Sequence, residues 1–288
     1  MIDDAHQRAS TEARKWPYQW VNESLYPLQR TNVAGQLTIP DGRSPGGAWV
    51  ILAEPGGNVS DQGGDYIYYA RADDAGGFYL PNVRPGEYAL YAYATQGTIT
   101  QQLEKDGIVV TGDALNLGEV DWNPPHHENL LWQIGKSDRS SAEFKFGGEP
   151  RNLKWIQMVP ANLTFTIGQS KDSDDWYFAQ AKPGHWLIKF TLTKVYTGAA
   201  YLSVPLAAGG GGADVDISVN GINVLTIAPV NDASISRAAD RSARYLLRES
   251  SFPASYLRLG ENTIDFHMIT PGGRFNALMY DTIILESD

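Results

Sequence analysis

Punctuation limits this chain's fold more than any other property it has. From Thr31 onward the apolar runs are short, and each is cut by a cluster of Pro, Gly, Asn or Asp before helical periodicity can build up. Val33-Ala34-Gly35-Gln36-Leu37-Thr38-Ile39 alternates and stops at Pro40-Asp41-Gly42, and residues 48–53 stop at Glu54-Pro55-Gly56-Gly57. Residues 66–72 run into Asp73-Asp74-Ala75-Gly76-Gly77, which turns the chain into Phe78-Tyr79-Leu80. Residues 83–88 lead into a further strand at residues 88–93, and Gly107-Ile108-Val109-Val110 reads as the last of the set. Short strands with turn signals at this spacing predict a β-sandwich over residues 31–121. Within it Tyr79, Tyr88 and Tyr91 alternate, which favours core or interface positions over exposed ligand platforms.

Trp122-Asn123-Pro124-Pro125-His126-His127-Glu128 reads as a stiff linker, because two prolines restrict the backbone to extended conformations. Residues 122–288 then carry at least eight further strand patterns, among them 163–167, 176–180, 185–190, 213–219, 263–268 and 277–285. Asn220-Gly221 between two alternating runs is a strong hairpin signal. This pattern predicts a jelly roll. Residues 1–30 are the exception. Ala5, Ala9, Ala13 and Trp16 recur at helical spacing behind Asp3 or Asp4, and Pro17 ends the run. The lead-in is therefore a short helix followed by four aromatics, Trp16, Tyr18, Trp20 and Tyr26, which should cover something. The fold class expected is all-β, a sandwich that resembles transthyretin/fibronectin III-like domains and then a jelly roll, behind an N-terminal helix.

Composition removes several functions. With 23 Lys+Arg against 33 Asp+Glu the formal charge is −10, which argues against nucleic acid as a partner. No apolar run is long enough for a membrane span. The absence of Cys excludes thiol catalysis, disulfides and Cys-type zinc sites. Gly209-Gly210-Gly211-Gly212 lacks the Lys-Ser/Thr of a phosphate loop, and none of the five histidines sits in a catalytic motif. Adjacent His126 and His127 point to opposite sides of an extended segment, so they make no metal site. The acidic stretch holding Asp172, Asp174 and Asp175 is the only one that suggests a structural calcium. It lacks the glycine and closing Glu of an EF-hand loop, so a solvated turn is the preferred reading, and no cofactor is expected.

Polar and aromatic residues on loops remain. Lys136-Ser137-Asp138-Arg139, the arginines from Arg237 to Arg244 and Pro271-Gly272-Gly273-Arg274-Phe275-Asn276 combine planar donors with small residues. Sugar sites need such groups for neighbouring hydroxyls, an apolar ring for the C–H face, and a guanidinium fork where a uronate is bound. Tyr245, Arg274, Asn276, Arg241 and Arg139 are the candidate carbohydrate-binding residues. The competing reading is turn chemistry and surface ion pairs.

Whole segments resemble a known family. Lys15-Trp16-Pro17-Tyr18-Gln19-Trp20-Val21, Val83-Arg84-Pro85-Gly86-Glu87-Tyr88 and Leu131-Trp132-Gln133-Ile134-Gly135-Lys136-Ser137-Asp138-Arg139 look like rhamnogalacturonan lyases of polysaccharide lyase family four. So do Trp176-Tyr177-Phe178-Ala179-Gln180, Phe252-Pro253-Ala254-Ser255-Tyr256-Leu257 and Met279-Tyr280-Asp281, and the likeness runs through nearly the whole chain in order. The resemblance implies a three-part enzyme in which a catalytic domain is followed by a fibronectin-like domain and a galactose-binding-like jelly roll. Only the last two parts match, so no residue here inherits a catalytic role. It further implies binding of plant cell-wall rhamnogalacturonan, a catalytic lyase domain as partner, and an extracellular setting. The start, Met1-Ile2-Asp3-Asp4, shows no secretory signal. Two alternatives stay open: an active endolyase, or a structural domain pair that binds no sugar.

Overall fold

A computed structural model describes residues 2–56, 59, 66–149, 154–210, 212–228, 245–270 and 277–288. Helix α1 (Ile2–Ala13) buries none of its residues. It ends short of Trp16, because no packed face holds its last turn. The lead-in is nonetheless tied to the first domain: the Tyr66 hydroxyl donates to the Leu25 carbonyl, and Arg30 Nη1 donates to the Tyr68 hydroxyl at 3.4 Å. Trp20 touches the Tyr18 ring, with centroids 5.7 Å apart, but is otherwise 79 % exposed.

The first domain is built from β1 (Thr31–Thr38), β2 (Trp49–Ala53), β3 (Tyr68–Arg71), β4 (Gly77–Val83), β5 (Gly86–Tyr93), β6 (Leu103–Val110) and β7 (Leu115–Asp121). They form two sheets, β4-β1-β7 and β3-β2-β5-β6, over a core that includes Val33, Leu52, Leu80, Leu90 and Trp122. Trp122 thus belongs to this core and not to the linker. Strand β7 is absent from the sequence reading, which ends the domain's strands at Val110. Gly118, at φ 65°, shifts the register of its parallel pairing with β1 and breaks the alternation. Tyr88 and Tyr91 are buried as expected, whereas Tyr79 is more than half exposed.

The second domain contains β8 (Asn129–Gly135), β9 (Leu163–Thr166), β10 (Gly184–Leu192), β11 (Ala199–Ser203), β12 (Leu206–Gly209), β13 (Val215–Val219), β14 (Ile222–Ile227), β15 (Glu249–Pro253), β16 (Gly260–Met268), β17 (Leu278–Tyr280) and β18 (Thr282–Ser287). A five-stranded sheet, β14-β13-β16-β10-β9, and a four-stranded one, β15-β11-β18-β8, share one core, and β12-β17 forms a small third sheet. The molecule is therefore nearly all β, a two-sheet sandwich followed by a larger domain of facing sheets.

The expected strand at residues 176–180 is instead an irregular plug. Its backbone bonds go to Lys145 on one side and Leu278 on the other, each a single bridge and not a ladder. Trp176 is fully buried among Trp186, Phe165, Phe266 and Tyr280, with ring centroids 5.0–6.1 Å away. Gln180 fastens the plug, accepting from the Tyr280 hydroxyl at 2.6 Å and donating to the Phe266 carbonyl. The single strand expected over 277–285 is also split at Asp281, whose side chain is wholly buried. The Asn220-Gly221 hairpin forms as expected, with φ 51° and 84°.

Candidate functional site

Two of the sequence-predicted residues meet where the domains join. Arg139 lies in the turn after β8 with φ 64°, and its guanidinium is held between Tyr93 of the first domain at 4.0 Å and Tyr245 of the second at 4.4 Å. Its Nη2 donates to Gln102 Oε1 at 3.0 Å, and the Tyr245 hydroxyl donates to the Thr100 carbonyl at 2.7 Å. Burial lowers the Arg139 pKa and raises that of Tyr245 well above the usual phenol range. Tyr245 is only 8 % exposed, so its ring is a clamp for Arg139 and not an open sugar platform. Beside the clamp lies a pocket of about 370 Å³ lined by Thr100, Gln101, Gln102, Glu104, Arg139, Tyr245 and Leu247. Arg241, Arg274 and Asn276 lie outside the described residues.

The same junction is braced at the linker. Arg43 pairs with Asp41 at 2.7 Å and donates from Nη2 to the carbonyls of Pro124 and Pro125. His127 stacks on Tyr201 with centroids 3.5 Å apart. Glu249 accepts from Thr100 and Gln101 across the interface. Glu286 lines a neighbouring cleft with Glu249, Ser203 and Thr98, and burial pushes its carboxyl up to about 7.

A second constellation went unread in the sequence. On the outward face of the five-stranded sheet, His185 and His267 are directly paired in register and stack with centroids 4.2 Å apart and planes 7° from parallel. His185 Nδ1 is 2.8 Å from Asp265 Oδ2, and its backbone N–H donates to Asn162 Oδ1 at 2.8 Å. These groups edge a cavity of about 550 Å³ lined by Asn162, Leu163, Thr164, His185, Leu187 and Asp265. A signal was present: each histidine sits beside a core aromatic in an alternating run, as His185-Trp186 and Phe266-His267. The period of two therefore turns both rings outward. What the sequence lacked was the register that pairs them.

The acidic stretch marked for calcium does local work. Asp175 accepts from the Lys171 backbone and Asp172 from the Gly135 backbone. Among the described residues no three His, Asp or Glu side chains gather as a metal set. Close by, however, hard oxygen donors are stranded. Asp281 Oδ1 accepts from the backbone N–H groups of Asp138 and Ser140, while Asp281 Oδ2, Glu143 Oε2 and the hydroxyls of Ser137 and Ser141 are buried without a hydrogen-bond partner. Burial drives the Asp281 pKa well above the carboxylate range and that of Glu143 up to about 7.

Comparison with known proteins places both domains. Residues 45–116 match the family model for domain II of polysaccharide lyase family 4, and residues 130–285 match its carbohydrate-binding-module-like domain III. The chain is 37% identical to the rhamnogalacturonate lyase of Dickeya dadantii over 296 residues, covering 99% of this chain and 49% of that protein. It is 26% identical to a probable rhamnogalacturonate lyase B of Aspergillus fumigatus, covering 90% of this chain and 46% of that one. The chain thus spans about half the length of the curated relatives it matches. A family 35 carbohydrate-binding module of known structure overlaps with a TM-score of 0.26 at 16% identity, covering 38% of this chain and 69% of that one, and this slight likeness carries no argument.

Proposed function

The chain belongs to polysaccharide lyase family 4, and from that membership we propose that its two domains are the polysaccharide-holding part of a rhamnogalacturonan lyase. Domain III grips rhamnogalacturonan and domain II is a rigid spacer. The observation that carries this reading is the match of residues 130–285 to the carbohydrate-binding-module-like domain III. The braced junction fits a spacer, since Arg139, Tyr245 and Arg43 all act across or beside it. Of the residues chosen from sequence, Arg241, Arg274 and Asn276 are proposed to contact the polymer, and a separate contact is proposed for the amides of Gln101 and Gln102 in the junction pocket. The setting proposed is extracellular.

Cleavage by β-elimination needs a base for the proton beside the uronate carboxylate and a cation for the developing enolate. In the junction pocket both faces of Arg139 are covered by tyrosines and its tip is on Gln102. That arrangement supports a binding role in preference to chemistry. The partner that supplies the chemistry is a lyase domain corresponding to the other half of the relatives, and the exposed Trp20 and Leu25 are its proposed contact.

A structural calcium fits the stranded oxygens better than the Asp172–Asp175 turn. Asp281, Glu143, Ser137 and Ser141 would hold it, and hard oxygen donors are the kind it takes. It would neutralise two buried carboxyl groups and fasten the turn after β8 to the start of β18. Melting in calcium and then in chelator checks this: the expected result is a higher melting temperature with calcium that Asp281→Asn abolishes.

Calorimetric titration of the chain with rhamnogalacturonan, alongside absorbance of unsaturated uronate, tests the main reading. Binding without unsaturated product is expected, and Arg274→Ala should weaken it at unchanged melting. Absence of heat and of retention on a rhamnogalacturonan gel would refute it, and appearance of product would establish a lyase in these domains.

A further inference from the structure

We propose that the outward face of the five-stranded sheet carries a binding site for a neutral pyranose, in which Asn162 and His185 supply the hydrogen bonds and Leu187 the apolar floor. This rests on the saccharide-binding reading above and puts a sugar on strands β9, β10 and β16. The register sets the arrangement: Leu187 faces Asp265 on one side and Thr164 on the other, with His185 and His267 paired two residues along.

The two polar groups that would meet a ligand are each fixed by a bond behind them. Asp265 Oδ2 holds His185 Nδ1 at 2.8 Å, so in the neutral ring the proton sits on Nδ1 and Nε2 is left as an acceptor. The His185 backbone N–H holds Asn162 Oδ1 at 2.8 Å, which leaves Asn162 Nδ2 as a donor. Stacking on His267 restrains the imidazole from its other face. An acceptor and a donor oriented in this way, beside the Thr164 hydroxyl, match adjacent sugar hydroxyls. Leu187 offers an apolar patch for a ring's C–H face or a methyl group, while Leu163, opposite Trp186 and packed on the core, only edges the cavity. The cavity, about 550 Å³, lies within the size range of small-ligand sites.

Charge selects the neutral class. Asp265 borders the cavity and Asp216 stands beside His267 in the next strand, so a uronate carboxylate would approach two acids. Lys189 is the cation on the same face of β10, opposite Thr263 and two residues beyond Leu187, and it does not line the cavity.

The test is titration of the full chain with L-rhamnose, D-galactose and D-galacturonate, following the His185 and His267 ring resonances by NMR, and with rhamnogalacturonan oligosaccharides by calorimetry. The expected result is saturable shifts of both rings with a neutral sugar, weaker shifts with galacturonate, loss of the His267 shift in His185→Ala and loss of both shifts in Leu187→Ser. Asp265→Asn should weaken neutral-sugar binding about tenfold, a difference of about 1.4 kcal/mol. His185→Ala and Leu187→Ser should melt like wild type, and Thr191→Ala on the same strand serves as a control that leaves binding unchanged. If the wild type binds oligosaccharide, Arg274→Ala abolishes it and His185→Ala and Leu187→Ser do not change it, this site is overturned while the broader reading stands. If the wild type binds neither polymer nor sugar, both are overturned.

Discussion

Arg139→Ala removes the guanidinium that Tyr93 and Tyr245 hold between their rings at 4.0 and 4.4 Å. A desolvated cation–π contact contributes roughly 1–2 kcal/mol. The charged hydrogen bond from Nη2 to Gln102, at 3.0 Å, adds about 1.5–3 kcal/mol. Against these stands the cost of burying a cation, visible in the lowered Arg139 pKa. The variant also keeps a side chain at φ 64°, so it regains no backbone freedom. The net loss is expected at about 2–4 kcal/mol. It should fall on the junction, because Tyr93 and Gln102 belong to one domain while Arg139 and Tyr245 belong to the other. Differential scanning calorimetry on the whole chain should therefore show the variant melting lower, with one domain's transition separating from the other's. Arg139→Lys should fall between the two, since an ammonium keeps the charge but not the planar fork. A single transition within about 0.5 kcal/mol of wild type would refute the clamp.

Tyr245→Phe keeps the ring over Arg139 and deletes only the bond to the Thr100 carbonyl, so chemical denaturation should register a loss of about 1 kcal/mol. Asn220→Ala should cost about 2–3 kcal/mol, from the left-handed backbone and from the Asn220 side-chain bonds to Tyr256, Asn262 and Thr263. Asn220→Gly recovers only the backbone part, so urea midpoints should rank wild type above Gly above Ala. Glu286 is raised to about 7 by burial, so its neutral form favours the fold. That stability is complete below pH 4.5 and is lost as pH rises through 7, with Glu249 and Arg43 the charged neighbours. Its partial exposure holds the loss to about 1 kcal/mol, and Glu286→Gln should flatten this limb of the pH–stability curve. Trp176→Ala opens the centre of the aromatic cluster and should cost about 3–5 kcal/mol by the same urea assay.

Local pattern was enough to specify the β class, the turns and most strand positions of both domains. Alternation and turn chemistry act between near neighbours: Pro40-Asp41-Gly42 ends β1 and Asn220-Gly221 makes a hairpin whatever lies elsewhere in the chain. The misreadings occurred where a distant partner overrides the local pattern. Residues 176–180 alternate like a strand, yet their bonds are claimed by Lys145 and Leu278. Strand β7 has a broken alternation and is nonetheless paired, because β1 lies beside it. The site residues divide on the same line. Arg139 and Tyr245 were legible as polar and aromatic loop residues, but only the docking of one domain on the other turns them into a clamp around Tyr93 and Gln102. Likewise His185 and Asp265 are 80 positions apart, and strand register alone brings them within a hydrogen bond. Pattern is written into neighbouring residues, whereas function here depends on which strands lie side by side, and that is set by how the two sheets bury their shared core.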